Sequence, residues 1–142
     1  MKPRIGLAKA DYEAIAAFRH ALRHFLRFSE EAARVAGLTP QQHQLLLAVK
    51  GFPGREWATI RELAERLELR HHTVVGEVDR AERAGLVARA PHAEDRRAVE
   101  VHLTARGNEV LEALTNTHRD ELVRVHRELG VAVARLAATD EA

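Results

Sequence analysis

The stretch between Leu63 and Leu103 is the most restrictive part of this chain. Residues 61–68 carry a short helical pattern, with Leu63, Ala64 and Leu67 on one face. Leu69-Arg70-His71 breaks it. A second helical pattern runs from about His72 to Ala84, with Val74, Val78 and Ala81 inward and Gly85 as its stop. Leu86-Val87-Ala88-Arg89 then reads as a strand, and Pro91 to Arg97 as a polar hairpin tip. Ala98 to Leu103 alternates, with Val99, Val101 and Leu103 on one side. Few arrangements satisfy two short helices, a tight break and a hairpin in that order. The order is that of a winged helix-turn-helix, whose second helix suits a major groove.

The flanks are helical. Residues 11–36 place Ile15, Phe18, Leu22, Phe25, Leu26 and Ser29 at helical spacing, and Gly37 ends the run. Thr39-Pro40 gives an N-cap followed by proline at the first helical position, so a second helix extends to about Lys50. A Gly/Pro-rich loop follows at residues 51–54, and Thr59-Ile60 is a short strand. Thr104 caps a long helix with an apolar stripe of Val110, Leu111, Leu114, Leu122, Val125 and Leu129. Gly130 is expected to break it and leave a short final helix through Leu136. The first ten and last four residues read as loose ends. The expected fold is mostly α with a small β-wing. Residues 39–104 form a winged lobe within one domain of 1–142, and helices at 11–36 and 105–138 flank it. Each flanking helix carries more apolar surface than one small domain uses, so both are expected to pair with their copies in a homodimer.

Composition excludes several classes. A chain of 142 residues buries a core without staples. It has no cysteine, which removes disulfides, thiol nucleophiles and Cys-based zinc sites. No apolar run suits a membrane span or a secretory signal, and the expected location is cytoplasmic. There is no Gly-rich phosphate loop, no nucleophile with a spaced base and no metal triad, so neither an enzyme nor a bound cofactor is expected.

The net charge of +1 argues against a nucleic-acid partner until its distribution is read. Residues 1–58 sum to +4, residues 59–107 to 0 and residues 108–142 to −3. Within the neutral middle, Glu62, Glu65 and Glu68 sit on the first helix of the motif, while Arg70, Arg80, Arg96 and Arg97 sit at the second helix and the tip. Nineteen of the 22 basic residues are Arg, a bias that a GC-rich genome produces as readily as phosphate binding does.

The motifs resemble the MarR family of transcription regulators. Asp95-Arg96-Arg97 followed by Leu103-Thr104-Ala105-Arg106-Gly107 is similar to that family's wing signature, Asp-x-Arg then Leu-Thr-x-x-Gly. Leu38-Thr39-Pro40, Leu63-Ala64-Glu65-Arg66-Leu67, Thr73-Val74, Val78-Asp79-Arg80 and Gly85-Leu86-Val87 fall in the family's order. The likeness spans roughly residues 11–138 and implies double-stranded DNA with a palindromic operator as partner. It implies that Asp95 braces the wing by pairing with Arg97, and that Arg97 enters a minor groove beside Arg96. Thr73 is then a phosphate contact at the start of the recognition helix. His71, His72, Val75 and Gly76 face the groove, and Arg70 and Arg80 anchor phosphates. Val75, Glu77 and Ala81 depart from the family's usual residues. Glu77 pairs with Arg80 at i, i+3 or accepts from a cytosine amine.

The same resemblance implies a small aromatic or phenolic effector, with Phe18 and Trp57 as walls and Arg19, His20, Arg23 and His43 as polar anchors. An alternative is a zinc-responsive regulator, because His20 and His24 are four apart and His118 or His126 could complete a site. A further alternative is a winged-helix module that binds protein and not DNA.

Overall fold

The computed structural model describes residues 6–138 and contains five helices and a small sheet. The helices are α1 Lys9–Val35, α2 Pro40–Lys50, α3 Ile60–Leu67, α4 His71–Arg83 and α5 Ala105–Ala138. The strands are β1 Trp57–Thr59, β2 Val87–Pro91 and β3 Val99–Leu103. They form one antiparallel sheet in the order β1-β3-β2, with Ala58 opposite Val101 and Arg89 opposite Val101 on the other side. No helix among the described residues is long and apolar enough to cross a membrane.

The chain divides into two compact units. One is Ala32–Asn116; the other joins the preceding part of α1 to the chain from Thr117 onward. The Ala32–Asn116 unit holds the winged core. Leu45, Leu46 and Val49 of α2 are fully buried there with Leu63 of α3 and Val74, Val78 and Ala81 of α4. Leu86, Val87 and Val101 close the core from the sheet, and Leu111 and Leu114 from the start of α5. This unit is wider than the 39–104 lobe read from sequence, because Ala33 and the first turns of α5 are part of its core.

Local chemistry sets the element ends. Thr39 caps α2 through Gln42, and Thr59 caps α3 through Glu62, each as a reciprocal capping box. Thr59 is therefore the last residue of β1 and the cap of α3. The expected Thr59-Ile60 strand is shifted accordingly: β1 is Trp57–Thr59, and Ile60 opens the helix. Glu68 turns the chain between α3 and α4 with φ 54° and ψ 44°, a left-handed conformation rare for a residue with a Cβ.

Two expectations about the flanking helices are corrected. Gly130 does not break α5, which runs unbroken to Ala138, since one helical glycine costs only about 1 kcal/mol against alanine. The buried seam of α1 coincides only in part with the predicted stripe. Ser29 of the stripe is buried, beside Ala14 and Ala21, and Phe18, Leu22 and Phe25 are half-buried, whereas Ile15 is 45% exposed and Leu26 53%. Small residues line the packed side, and part of the large apolar set faces outward.

Within the Ala32–Asn116 unit, the ends of β2 and β3 are locked to α5 by the Leu-Thr-x-x-Gly segment. Thr104 Oγ1 donates to the Gly85 carbonyl at 2.7 Å and accepts from the Gly107 N–H at 3.1 Å. The Thr104 N–H donates to the Leu86 carbonyl at 3.0 Å. Arg106 Nη1 reaches the Ala84 carbonyl at 3.1 Å.

Candidate nucleic-acid interface

Helix α4 buries one face and leaves another in solvent. Val74, Val78 and Ala81 are inward, and His71, His72 and Arg80 are exposed. Arg70 occupies the N-cap position in extended conformation, with no side-chain cap. It too is exposed, so it and the two histidines crowd the positive end of the helix dipole. Thr73 is half-buried, and its N–H donates to the Arg70 carbonyl at 3.0 Å.

Two assignments on α4 need revision. Val75 does not simply face outward: it is half-buried and packs against the core. The surface over Gly76 is not open. A Cβ there would lie 3.4 Å from Arg80 Nη1, because the guanidinium folds back across the glycine. It does so to meet Glu77, with Arg80 Nη2 3.2 Å from Glu77 Oε1. Of the two expected roles for Glu77, the geometry selects the i, i+3 pair. Glu77 is more covered than a solvated residue would be, its side chain 14% exposed against 58% for Arg80. An ion pair with one exposed partner contributes little, so Arg80 can leave it at small cost.

The wing tip is shaped by Asp95 through the backbone. Its Oδ1 accepts the Arg97 N–H at 2.9 Å, and its carbonyl accepts the Ala98 N–H at 3.0 Å. The expected brace exists, but its donor is the main-chain amide of Arg97 and not the guanidinium. Arg96 and Arg97 are both exposed. A cleft of about 670 Å³ runs between the wing and the starts of α3 and α4, lined by Arg55, Arg61, His71, His92, Asp95 and Arg97 among others. Its charged lining is mixed: Arg55, Arg61 and Arg97 are cationic, Glu62 and Asp95 are anionic, and Arg55 is paired with Glu62, which leaves Arg61 and Arg97 for a phosphate strand.

Sequence reasoning missed the cluster at the base of the wing. Arg55 lies 3.8 Å from the Trp57 ring centre and 4.3 Å from that of Phe52, and it pairs with Glu62. Burial raises the Glu62 carboxyl, but the Thr59 amide and hydroxyl and the Arg55 guanidinium outweigh it and hold it below the usual glutamate value. On the far side of Trp57, Glu100 is clasped by two histidines. His92 Nδ1 lies 2.7 Å from Oε2, and His102 Nε2 lies 2.9 Å from Oε1. A carboxylate only accepts, so each facing ring nitrogen carries its hydrogen. The period-2 spacing of Glu100 and His102 was the available signal, since it places both on one face of β3.

Hydrogen bonds from His92 and then His102 lower the Glu100 pKa. A lowered folded-state pKa gives stability that is full above the ordinary carboxylate pKa and lost as pH falls through the lowered one. Glu100→Gln is therefore expected to lower Tm at neutral pH. The gap to the parent should close in acid, and thermal melts across the acid range measure it.

The residues nominated for a ligand divide between the two units. Phe18, Arg19, His20 and Arg23 lie on α1, in the unit without the wing. His43 is buried, and Trp57 stacks over His102 and under Arg55. His118, one of the histidines considered for zinc, is buried with Nε2 2.9 Å from Ser29 Oγ, and the Phe25 and Phe28 rings stand edge-on to it. Among the described residues, no group of three ligating side chains converges on a metal position.

Comparison with known proteins fits this geometry. Residues 36–98 match the sequence model of the MarR family. A curated relative, the HTH-type transcriptional repressor MdtR of Bacillus subtilis, is 32% identical over 78 residues, which cover 55% of this chain and 48% of that protein. The chain thus matches about half the length of that relative. Among solved structures, AbsC, a MarR family transcriptional regulator from Streptomyces coelicolor, superposes with a TM-score of 0.72 at 21% identity, over 89% of this chain and 84% of AbsC. The M. tuberculosis transcriptional regulator MOSR in complex with DNA superposes with a TM-score of 0.59 at 25% identity, over 86% and 92% of the two chains.

Proposed function

Since its winged-helix segment belongs to the MarR family, we propose that this chain is a sequence-specific DNA-binding transcriptional regulator that acts as a homodimeric repressor. The observation that carries this reading is the pairing of two basic elements on one winged unit. Helix α4 offers Arg70, His71, His72 and Arg80 for a major groove, and the Asp95-shaped tip offers Arg96 and Arg97 for the adjacent minor groove. The relative named a transcriptional repressor supports repression over activation. Nothing in this reading asks for catalysis.

Exposed apolar residues in the unit that lacks the wing support the dimer. Tyr12, Ile15 and Leu26 of α1 and Leu122, Val123, Val131 and Val133 of α5 are all exposed. A second copy covers such residues at no cost in specificity. Two copies then present two α4 helices about 34 Å apart, matching half-sites one helical turn apart on a palindrome.

An effector releases the operator if it binds better when the two α4 helices are wrongly spaced. A small phenolic effector fits a cavity of about 460 Å³ within the winged unit, lined by Leu47, Lys50, Asn108, Leu111 and Thr115 among others. These are not the residues nominated from sequence.

Selection from a randomised duplex library, followed by gel shift at several salt concentrations, tests the reading. The expected result is a palindromic consensus bound by two chains, with modest and strongly salt-dependent affinity for scrambled DNA. Failure to enrich any sequence at low salt would instead support a protein-binding module.

A further inference from the structure

Strand β2 and helix α4 are joined by one residue. Arg89, in the middle of β2, directs its guanidinium at two carboxylates one turn apart on α4. Nη2 lies 2.5 Å from Asp79 Oδ1, and Nη1 lies 3.0 Å from Glu82 Oε1. The Arg89 main-chain N–H also donates to Glu82 Oε2 at 3.2 Å. The Arg89 side chain is 25% exposed. Among the described residues, no other ion pair links the wing strands to α4. A planar fork with several N–H donors spans two carboxylates; an ammonium on a flexible stem does not hold the same geometry.

We infer that Arg89 is a positioning residue for DNA reading: it sets the wing against α4 and keeps Asp79 and Glu82 away from the phosphates. The inference rests on the DNA-binding function proposed above. Reading a sequence requires α4 in one groove and the wing tip in the next at the same time. Slack between them must be removed on binding, and that ordering weakens affinity. Non-specific contact with phosphates tolerates the slack. Losing Arg89 therefore weakens specific binding more than non-specific binding. It also leaves two unpaired carboxylates beside a polyanion.

Arg89→Met keeps most of the apolar stem and removes the fork. The probes are the duplex that the parent protein selects from a randomised library and a scrambled duplex of the same composition. Arg89→Met is expected to lose about tenfold on the selected duplex and about twofold on the scrambled one. The slope of log affinity against log salt stays at the parent value, because no phosphate contact is lost. In a chain already carrying Asp79→Asn and Glu82→Gln, adding Arg89→Met changes the ratio of the two affinities by about twofold at most, since the two charges it pairs with are gone. Arg89→Lys restores part of the ratio.

Amide exchange on the free protein supplies a readout independent of DNA. Arg89→Met speeds exchange in Val87–Pro91 while the far-UV spectrum stays at the parent value. Equal losses on both duplexes, a salt slope reduced by about one, or unchanged exchange would each overturn the inference. If the parent enriches no sequence, the DNA-binding function itself fails. Exchange then decides alone whether Arg89 holds the wing.

Discussion

Gly107→Ala is expected to destabilise the fold by about 3 kcal/mol and to lower Tm by about 10 °C. Gly107 sits in the first turn of α5, where that helix crosses the chain entering β2. A Cβ on it would lie 2.1 Å from the Leu86 carbonyl oxygen and 3.1 Å from the carbonyl carbon. Real Cβ atoms do not come that close to backbone, and the neighbour here is not a side chain that can swing aside. The obstructing carbonyl also accepts the Thr104 N–H at 3.0 Å. The Thr104 hydroxyl is engaged in turn by Gly85 and Gly107. Relief of the clash therefore has to break the cap of α5 or displace β2, and Val87 of β2 and Leu111 of α5 are both core residues. Thermal melts at fixed protein concentration measure the effect, since any self-association makes Tm depend on concentration. Gly130→Ala is the control. Nothing lies within 4 Å of a Cβ at Gly130, and the change should stabilise α5 by a fraction of 1 kcal/mol. A Gly107→Ala protein as stable as the parent would mean that α5 does not press on Leu86.

That contrast shows what was legible in the sequence. The helix-turn-helix, the hairpin and the approximate positions of β2 and β3 follow from periodicity and punctuation, because every one of these signals is local. Gly107 was visible as part of a motif, but its reason was not: the obstructing carbonyl is twenty-one residues away in sequence and adjacent only in the fold. Gly130 failed the other way. A glycine inside a strong helical pattern is a small local penalty, and the pattern outweighs it. On α1 the spacing of large apolar residues identified the helix but only part of the packed side, since Ala14 and Ala21 fill the close contact. The interface was read from charge positions at α4 and the tip. The Arg89 fork and the Glu100 clasp were not, because each depends on which strands pair. The residues nominated for a ligand were chosen by type, and they fall in both units.

Arg97→Ala is expected to weaken binding to the selected duplex by about ten- to a hundredfold and to reduce the salt slope by about one. The structure makes this substitution clean. Asp95 holds the tip by accepting the Arg97 main-chain N–H, and alanine keeps that N–H. The tip conformation therefore survives while the guanidinium is lost. Asp95→Ala does the reverse: it removes the acceptor that shapes the tip and leaves the guanidinium on a looser loop. Its affinity should also fall, but its salt slope should stay near the parent value, because the charge that displaces counterions is still present. Arg97→Lys separates charge from shape. The slope should be retained, while affinity for the selected duplex falls, since a narrow A·T-rich minor groove favours the flat, weakly hydrated guanidinium over an ammonium. The winged segment as a whole is close to neutral, so few placed cations carry the electrostatic part of binding and each one removed should be visible in the slope. Unchanged affinity and slope in Arg97→Ala would mean that the wing tip does not touch DNA. In that case the paired arginines would serve a protein partner, and the enriched duplex, if any, would be read by α4 alone.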